Sequence, residues 1–284
     1  MKTPNNNNQA AKSLDRELKS LWGASAWPFA AAAKTPCKTE PFTRNLDELT
    51  QLLCVKASGV LCGPNGVGKS MMLKTLLDQL PAKAYRTILV THSSITASDL
   101  IRHLCRIQGL PTSARRSDNT MALRNMWQEL DPVWPVVILE ESQNLSVAAI
   151  EELRLLTCDR TDTQSPFSLL MVGDDALLAR LQLGVNRPLL SRLGFCIQLQ
   201  PWSTQDAQTY INSRLREVGI PEDVIDPQAE ELIIQTAAGI PRVINNIAQR
   251  AFEQAARAHS RQILAEHVQH ALKQIPWIGK IISK

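Results

Sequence analysis

The chain has 284 residues, enough for one large domain or for a core domain with a small companion, and its composition, 44% hydrophobic and 20% charged, excludes a fibrous or wholly disordered polymer. Its 31 Lys and Arg exceed 27 Asp and Glu by a net +4, a mildly basic balance that permits a nucleic-acid partner without requiring one. No apolar run approaches the roughly 20 residues that span a bilayer, and the start, Met1-Lys2-Thr3-Pro4-Asn5, lacks the apolar segment of a signal peptide. The expected location is therefore cytoplasmic, with no membrane partner.

Residues 1 to about 10 are polar and asparagine-rich and read as disordered. A short amphipathic helix follows on Leu14, Leu18, Leu21 and Trp22, able to pack on the core or to dock a partner. Gly23 to Phe42, rich in Ala and Pro, reads as an extended lead-in. Helices are then expected over Asn45–Leu53, Ser70–Leu80, Ser98–Gly109, Met121–Leu130, Val147–Leu156 and Ala176–Leu183. They alternate with apolar strands at Gly59–Cys62, Thr87–Val90, Val136–Leu139, Ser168–Val172 and Phe195–Leu199. That alternation predicts an α/β domain with a parallel sheet covered by helices on both faces. From Ser203 the strands stop, and four helices separated by Gly219-Ile220-Pro221, Pro227 and Gly239-Ile240-Pro241 predict a small all-helical lid. The expected divisions are 1–24, 25–201, 202–273 and a tail at 274–284. Six cysteines without a Cys-x-x-Cys pair argue against disulfides and zinc. His267 and His270 share a helix face without companion ligands and read as surface histidines.

Chemistry concentrates in two places. Gly63-Pro64-Asn65-Gly66-Val67-Gly68-Lys69-Ser70-Met71 follows the first strand and opens a helix. Glycines at 63, 66 and 68 let the backbone turn its N–H groups onto phosphate oxygens, and the helix N-terminus adds its positive end. Lys69 would reach the β and γ phosphates of ATP, and the Ser70 hydroxyl would hold Mg²⁺. The second place is the end of the strand Val136–Leu139, where Glu140 would serve the metal and Glu141 would polarise the attacking water.

These motifs, with Glu152-Leu153-Arg154-Leu155-Leu156-Thr157, Met171-Val172-Gly173, Ser191-Arg192-Leu193 and Gly239-Ile240-Pro241-Arg242-Val243-Ile244-Asn245, resemble AAA+ ATPases of the ExeA, TniB and TnsC group. The MuB and IstB helper ATPases are more distant relatives. The resemblance spans residues 25 to 272 and implies a P-loop AAA+ core with a helical lid. It also implies that Arg242 contacts the γ-phosphate of its own subunit, that Arg192 reaches the nucleotide of the next, and that the protein forms a homo-oligomeric ring or filament. Two residues depart from the family. Glu140 stands where an aspartate is usual. Asp174 stands where a glutamine senses the γ-phosphate, and an ionised carboxylate cannot donate a hydrogen bond as that amide does. Slow or partner-dependent hydrolysis is the expectation.

Three roles follow from the resemblance: a transposition regulator that coats target DNA and recruits a transposase, with a target-selection protein as a further partner; a secretion ATPase of the ExeA kind; or a switch in replication or repair. The secretion proteins continue after the ATPase, whereas this sequence ends about ten residues after the predicted lid, which favours transposition. Contacts to double-stranded DNA, without base readout, are expected at Ser94, Thr96, Arg115 and Arg116. From Arg242 onward, seven Lys and Arg against two carboxylates offer a second electrostatic contact, and the tail after Ile275 offers an apolar one.

Overall fold

The computed structural model describes residues 16, 20–29, 35–91, 96–158 and 165–278. Ser94 therefore lies outside the described residues, as do Leu14, Leu18 and the tail from Gly279. The chain divides into two compact units, one of Glu40–Asn65 with Lys69–Gln200, the other of Met1–Thr39, Gly66–Gly68 and Pro201–Lys284.

The first unit is built on five parallel strands: β1 Gly59–Cys62, β2 Tyr85–Val90, β3 Trp134–Leu139, β4 Ser168–Gly173 and β5 Phe195–Gln198, in the order β2-β3-β4-β1-β5. Strands β1 and β4 are buried at every residue. Such strands need helices on both faces, and short apolar runs without alternation are the sequence form of that demand. The helices are α1 Glu40–Cys54, α2 Lys69–Gln79, α3 Ala97–Ile107, α4 Arg116–Glu129, α5 Val147–Thr157, α6 Asp175–Leu181 and α7 Arg187–Leu190. Leu100, Ile101 and Leu104 of α3 and Ile150 and Leu153 of α5 pack with Val137 and Leu139 of β3 in one continuous core. Side-chain caps start several of these helices: Thr96 accepts the Asp99 N–H at 3.2 Å, and Ser146 accepts the Ala149 N–H at 3.1 Å. Each cap contributes about 1 kcal/mol.

The second unit holds α8 Thr204–Glu217, α9 Pro227–Ala237, α10 Pro241–Arg257 and α11 Ala265–Gln274. Its core gathers Tyr210, Ile211, Leu215, Ile233, Ile244, Ile247, Phe252 and Val268, and it takes in Trp22, Ala24 and Phe29 from the start of the chain. Trp22 meets Phe252 edge to face at 5.2 Å and donates its indole N–H to the Arg261 carbonyl at 2.8 Å. His267, read from sequence as a surface residue, is instead buried at 6% exposure. Its Nδ1 accepts the Leu264 N–H at 3.0 Å, closing the first turn of α11. His270 is exposed, as expected.

Candidate active site

Strand β1 ends at Cys62 between β4 and the edge strand β5, and the chain turns at once through Gly63, where φ is +147°. A side chain there would place its Cβ 2.5 Å from the Leu199 carbonyl oxygen, so only glycine lets this turn run beside the end of β5. Pro64 and Asn65 continue the turn. Gly66 and Gly68 also have positive φ, +88° and +118°, and the space beside the Gly68 Cα is open. Val67 is buried, anchoring the loop between those two glycines. The loop ends in α2, whose first residues are Lys69, Ser70 and Met71.

Lys69 is only 9% exposed, and its ammonium donates to the Gly63 carbonyl at 2.6 Å and the Pro64 carbonyl at 3.1 Å. Burial holds its pKa below the ordinary lysine value, opposed by the negative fields of Glu141, Asp174 and Asp175. A buried cation bonded to neutral carbonyls, at a loop whose glycines free the backbone N–H groups to turn inward, fits a phosphate anion. Ser70 is exposed at the start of the helix. Among the described residues no three His, Cys, Asp or Glu gather as a metal site. The exposed Ser70 hydroxyl is an oxygen of the kind Mg²⁺ takes, since that ion is commonly held by one or two protein oxygens together with phosphate oxygens and water.

Behind the loop, the Cys62 thiol sits 3.9 Å from the Cys196 thiol of β5. Burial first, and then Cys196, push the Cys62 pKa up to about 12, so at neutral pH it is an inert neutral packing group.

The carboxylates lie where β3 and β4 end. Glu140 continues β3, donating its N–H to the Val90 carbonyl of β2 at 2.9 Å. Glu141 is exposed and takes the left-handed conformation, φ 52° and ψ 36°, rare for a residue with a side chain. Gln143, in the turn Ser142–Asn144, donates from Nε2 to Glu141 Oε2 at 2.8 Å. Asp174 opens α6 as its N-cap, its Oδ1 accepting the Ala176 N–H at 3.0 Å, so its carboxylate already has a structural role.

Arg192 is half-buried and follows the short helix α7. Arg242 is exposed in the first turn of α10, and its backbone N–H reaches the Gly66 carbonyl at 3.3 Å.

The residues expected to contact DNA have unequal surroundings. Thr96 is engaged with Asp99 in capping α3, donating its hydroxyl to Oδ2 at 2.6 Å. Arg116 pairs at 2.5 Å with Glu152 of α5, a carboxylate only 7% exposed, and so neutralises a buried charge. Arg115 is exposed just before α4. The role of Gln143 was not visible in the sequence, because its second partner, the Asp174 N–H, is reached only when the ends of β3 and β4 are placed side by side.

Residues 55–181, holding the glycine loop, the carboxylates and four of the five strands, match the AAA domain family. That stretch is similar to AAA domains. The likeness extends beyond it in two curated relatives. General secretion pathway protein A of Aeromonas hydrophila is 28% identical over 228 residues, 77% of this chain and 41% of that protein. ORC1-type DNA replication protein 1 of Halobacterium salinarum is 27% identical over 218 residues, 75% of this chain and 68% of that protein. The chain thus spans under half the length of the secretion protein it matches. Among solved structures, Cdc6p of Pyrobaculum aerophilum shares the fold with a TM-score of 0.71 at 16% identity, over 89% of this chain and 72% of that one. The ORC1 protein of Aeropyrum pernix, solved in complex with DNA, shares it with a TM-score of 0.67 at 19% identity, over 88% and 69%. The fold around that stretch is therefore the AAA+ fold, a parallel five-stranded sheet with helices and a helical C-terminal region.

Proposed function

We propose that this protein is a Mg²⁺-dependent ATPase that assembles on double-stranded DNA and regulates transposition, recruiting or activating a transposase and leaving the DNA when ATP is hydrolysed. The observation that carries the ATPase part is the buried Lys69 ammonium at a positive-φ glycine loop, with Glu141 at the neighbouring strand end. In this reading Lys69 and the backbone of Gly63–Met71 bind the phosphates, and the Ser70 hydroxyl and Glu140 hold the metal. Glu141 orients the attacking water and accepts its proton. Arg242 and, from a neighbouring subunit, Arg192 neutralise charge on the γ-phosphate, while Asp174 stands at the sensing position. A bound Mg²⁺ would supply charge neutralisation at the phosphates.

The DNA part is supported by the exposed Arg115, by the basic run from Arg242 onward and by the shared fold with the Aeropyrum pernix ORC1 protein, whose structure was solved on DNA. The transposition part rests on the motif resemblance to the TniB and TnsC group. The likeness to a secretion protein supports a second reading, in which the same ATPase acts on a protein client.

Negative-stain imaging of the protein with duplex DNA, with and without Mg²⁺ and ATP, separates these readings. Rings or filaments on DNA only with ATP are expected, weakening as salt rises. Lys69→Ala is expected to lose nucleotide binding and assembly together, and Glu141→Gln to bind ATP and persist on DNA. Bare DNA under all conditions would instead favour the protein client.

A further inference from the structure

We propose that Gln143 is a positioning residue that fixes the carboxylate of Glu141 by tying it to the end of the neighbouring strand β4. The proposal rests on the reading of Glu141 given above. Gln143 uses both ends of its side-chain amide. Nε2 donates to Glu141 Oε2 at 2.8 Å, and Oε1 accepts the backbone N–H of Asp174 at 3.4 Å. One side chain therefore bridges the second residue after β3, which would handle water, and the residue after β4 that stands at the sensing position.

The space for this bridge is set by Gly173. A Cβ built there would lie 2.6 Å from Gln143 Oε1 and 2.9 Å from Leu177 Cδ2, so the bare backbone at 173 is what admits the amide. The turn carrying Gln143 is pinned independently. Ser142 is fully buried and donates its hydroxyl to the Leu139 carbonyl at 2.7 Å, and the Asn144 N–H reaches the Glu141 carbonyl at 2.9 Å. With the backbone held, the amide of Gln143 restricts where the exposed Glu141 carboxylate lies. A general base on an exposed side chain is effective only when that orientation is restricted. The tether also means that movement of the β4 end at Asp174 reorients Glu141.

Removing the bridge lowers the chemical rate without touching phosphate binding. Gln143→Ala is expected to reduce single-turnover hydrolysis by on the order of tenfold to a hundredfold, with nucleotide Kd within about twofold of the parent. Gly173→Ala, which puts a methyl group where the amide oxygen sits, is expected to give the same split. Gln143→Glu keeps an acceptor for the Asp174 N–H but sets a carboxylate against Glu141, and is expected to be no better than Gln143→Ala. The contact has a readout that needs no nucleotide: the side-chain amide resonances of Gln143 in ¹⁵N–¹H spectra are expected to move in Glu141→Ala. An unchanged rate in Gln143→Ala, parallel losses of rate and affinity, or unmoved amide resonances would each overturn the proposal. Glu141→Gln hydrolysing at the parent rate would sink the reading of Glu141 itself, and the amide resonances would still report whether the bridge exists.

Discussion

Glu141 occupies a backbone conformation that costs a side-chain-bearing residue about 1–2 kcal/mol relative to the right-handed region. Glycine takes it without that cost. Glu141→Gly is therefore expected to be more stable than Glu141→Ala by about 1 kcal/mol in chemical denaturation, although both lack the carboxylate. Equal stability of the two would show that the left-handed turn is not held in solution. Candidates for the site were legible because glycine spacing, a lysine and paired carboxylates each answer a chemical need. Their mutual orientation was not. Gln143 meets the Asp174 N–H 31 residues further along, and Arg116 neutralises Glu152 from 36 residues away. No local pattern in the chain encodes such pairings.

At the scale of the element, the fully buried strands were the most readable: β1 was predicted with the observed bounds and β4 lacked only its last residue. Helix starts were less so. Helix α1 begins at Glu40, five residues before the apolar spacing becomes visible, because Pro41 is tolerated in a first turn, where its missing N–H would have no intrahelical partner. Helix α4 begins within the polar run at Arg116, where Asn119 clasps Ser113 through both its N–H and its carbonyl, at 2.7 and 3.0 Å. The first turn of α11 yields a pH prediction. Burial lowers the His267 pKa, with the exposed His270 acting in the same direction and Glu266 against it. The unfolded chain thus takes up a proton on this histidine before the folded one does. Stability contributed by the neutral imidazole is complete above the unfolded value of about 6.5 and is lost as pH falls through the window beneath it. Melting of the parent and of His267→Gln between pH 8 and 5 checks this. Glutamine at this position can reach the same backbone N–H without titrating, so the variant is expected to show a flatter acid limb. A limb unchanged by the substitution would place the titrating group elsewhere.

At the scale of the whole molecule, the assignment of Arg192 to a neighbour's nucleotide predicts complementation. On that assignment Lys69→Ala is expected to lack ATP and to assemble only where its arginine meets ATP held by an Arg192→Ala neighbour, which itself lacks the arginine. Each is expected to be inactive alone, and a mixture of the two is expected to recover part of the parent ATPase rate on DNA. Failure of every mixing ratio to recover activity would return Arg192 to its own subunit. Leu183 and Val185, exposed at 53% and 59% just before α7, are apolar surface in the segment leading to this arginine. Leu183→Ser with Val185→Ser is expected to weaken assembly on DNA while leaving nucleotide affinity of the isolated subunit within about twofold, since exposed single residues carry little of the fold's stability.

The place of β1 in the sheet also dictates when the site can exist. Its neighbours on either side are β4 and β5, with Gly59 paired to Leu170 and to Phe195, more than 100 residues further along the chain. As the polypeptide leaves the ribosome, β2 and β3 can pair early, but the strand that carries the glycine loop has no partner until its late neighbours emerge. The residues proposed to bind phosphate are thus made before the strands that wall in β1. An incomplete chain would thus be unable to capture nucleotide before its parallel sheet had closed.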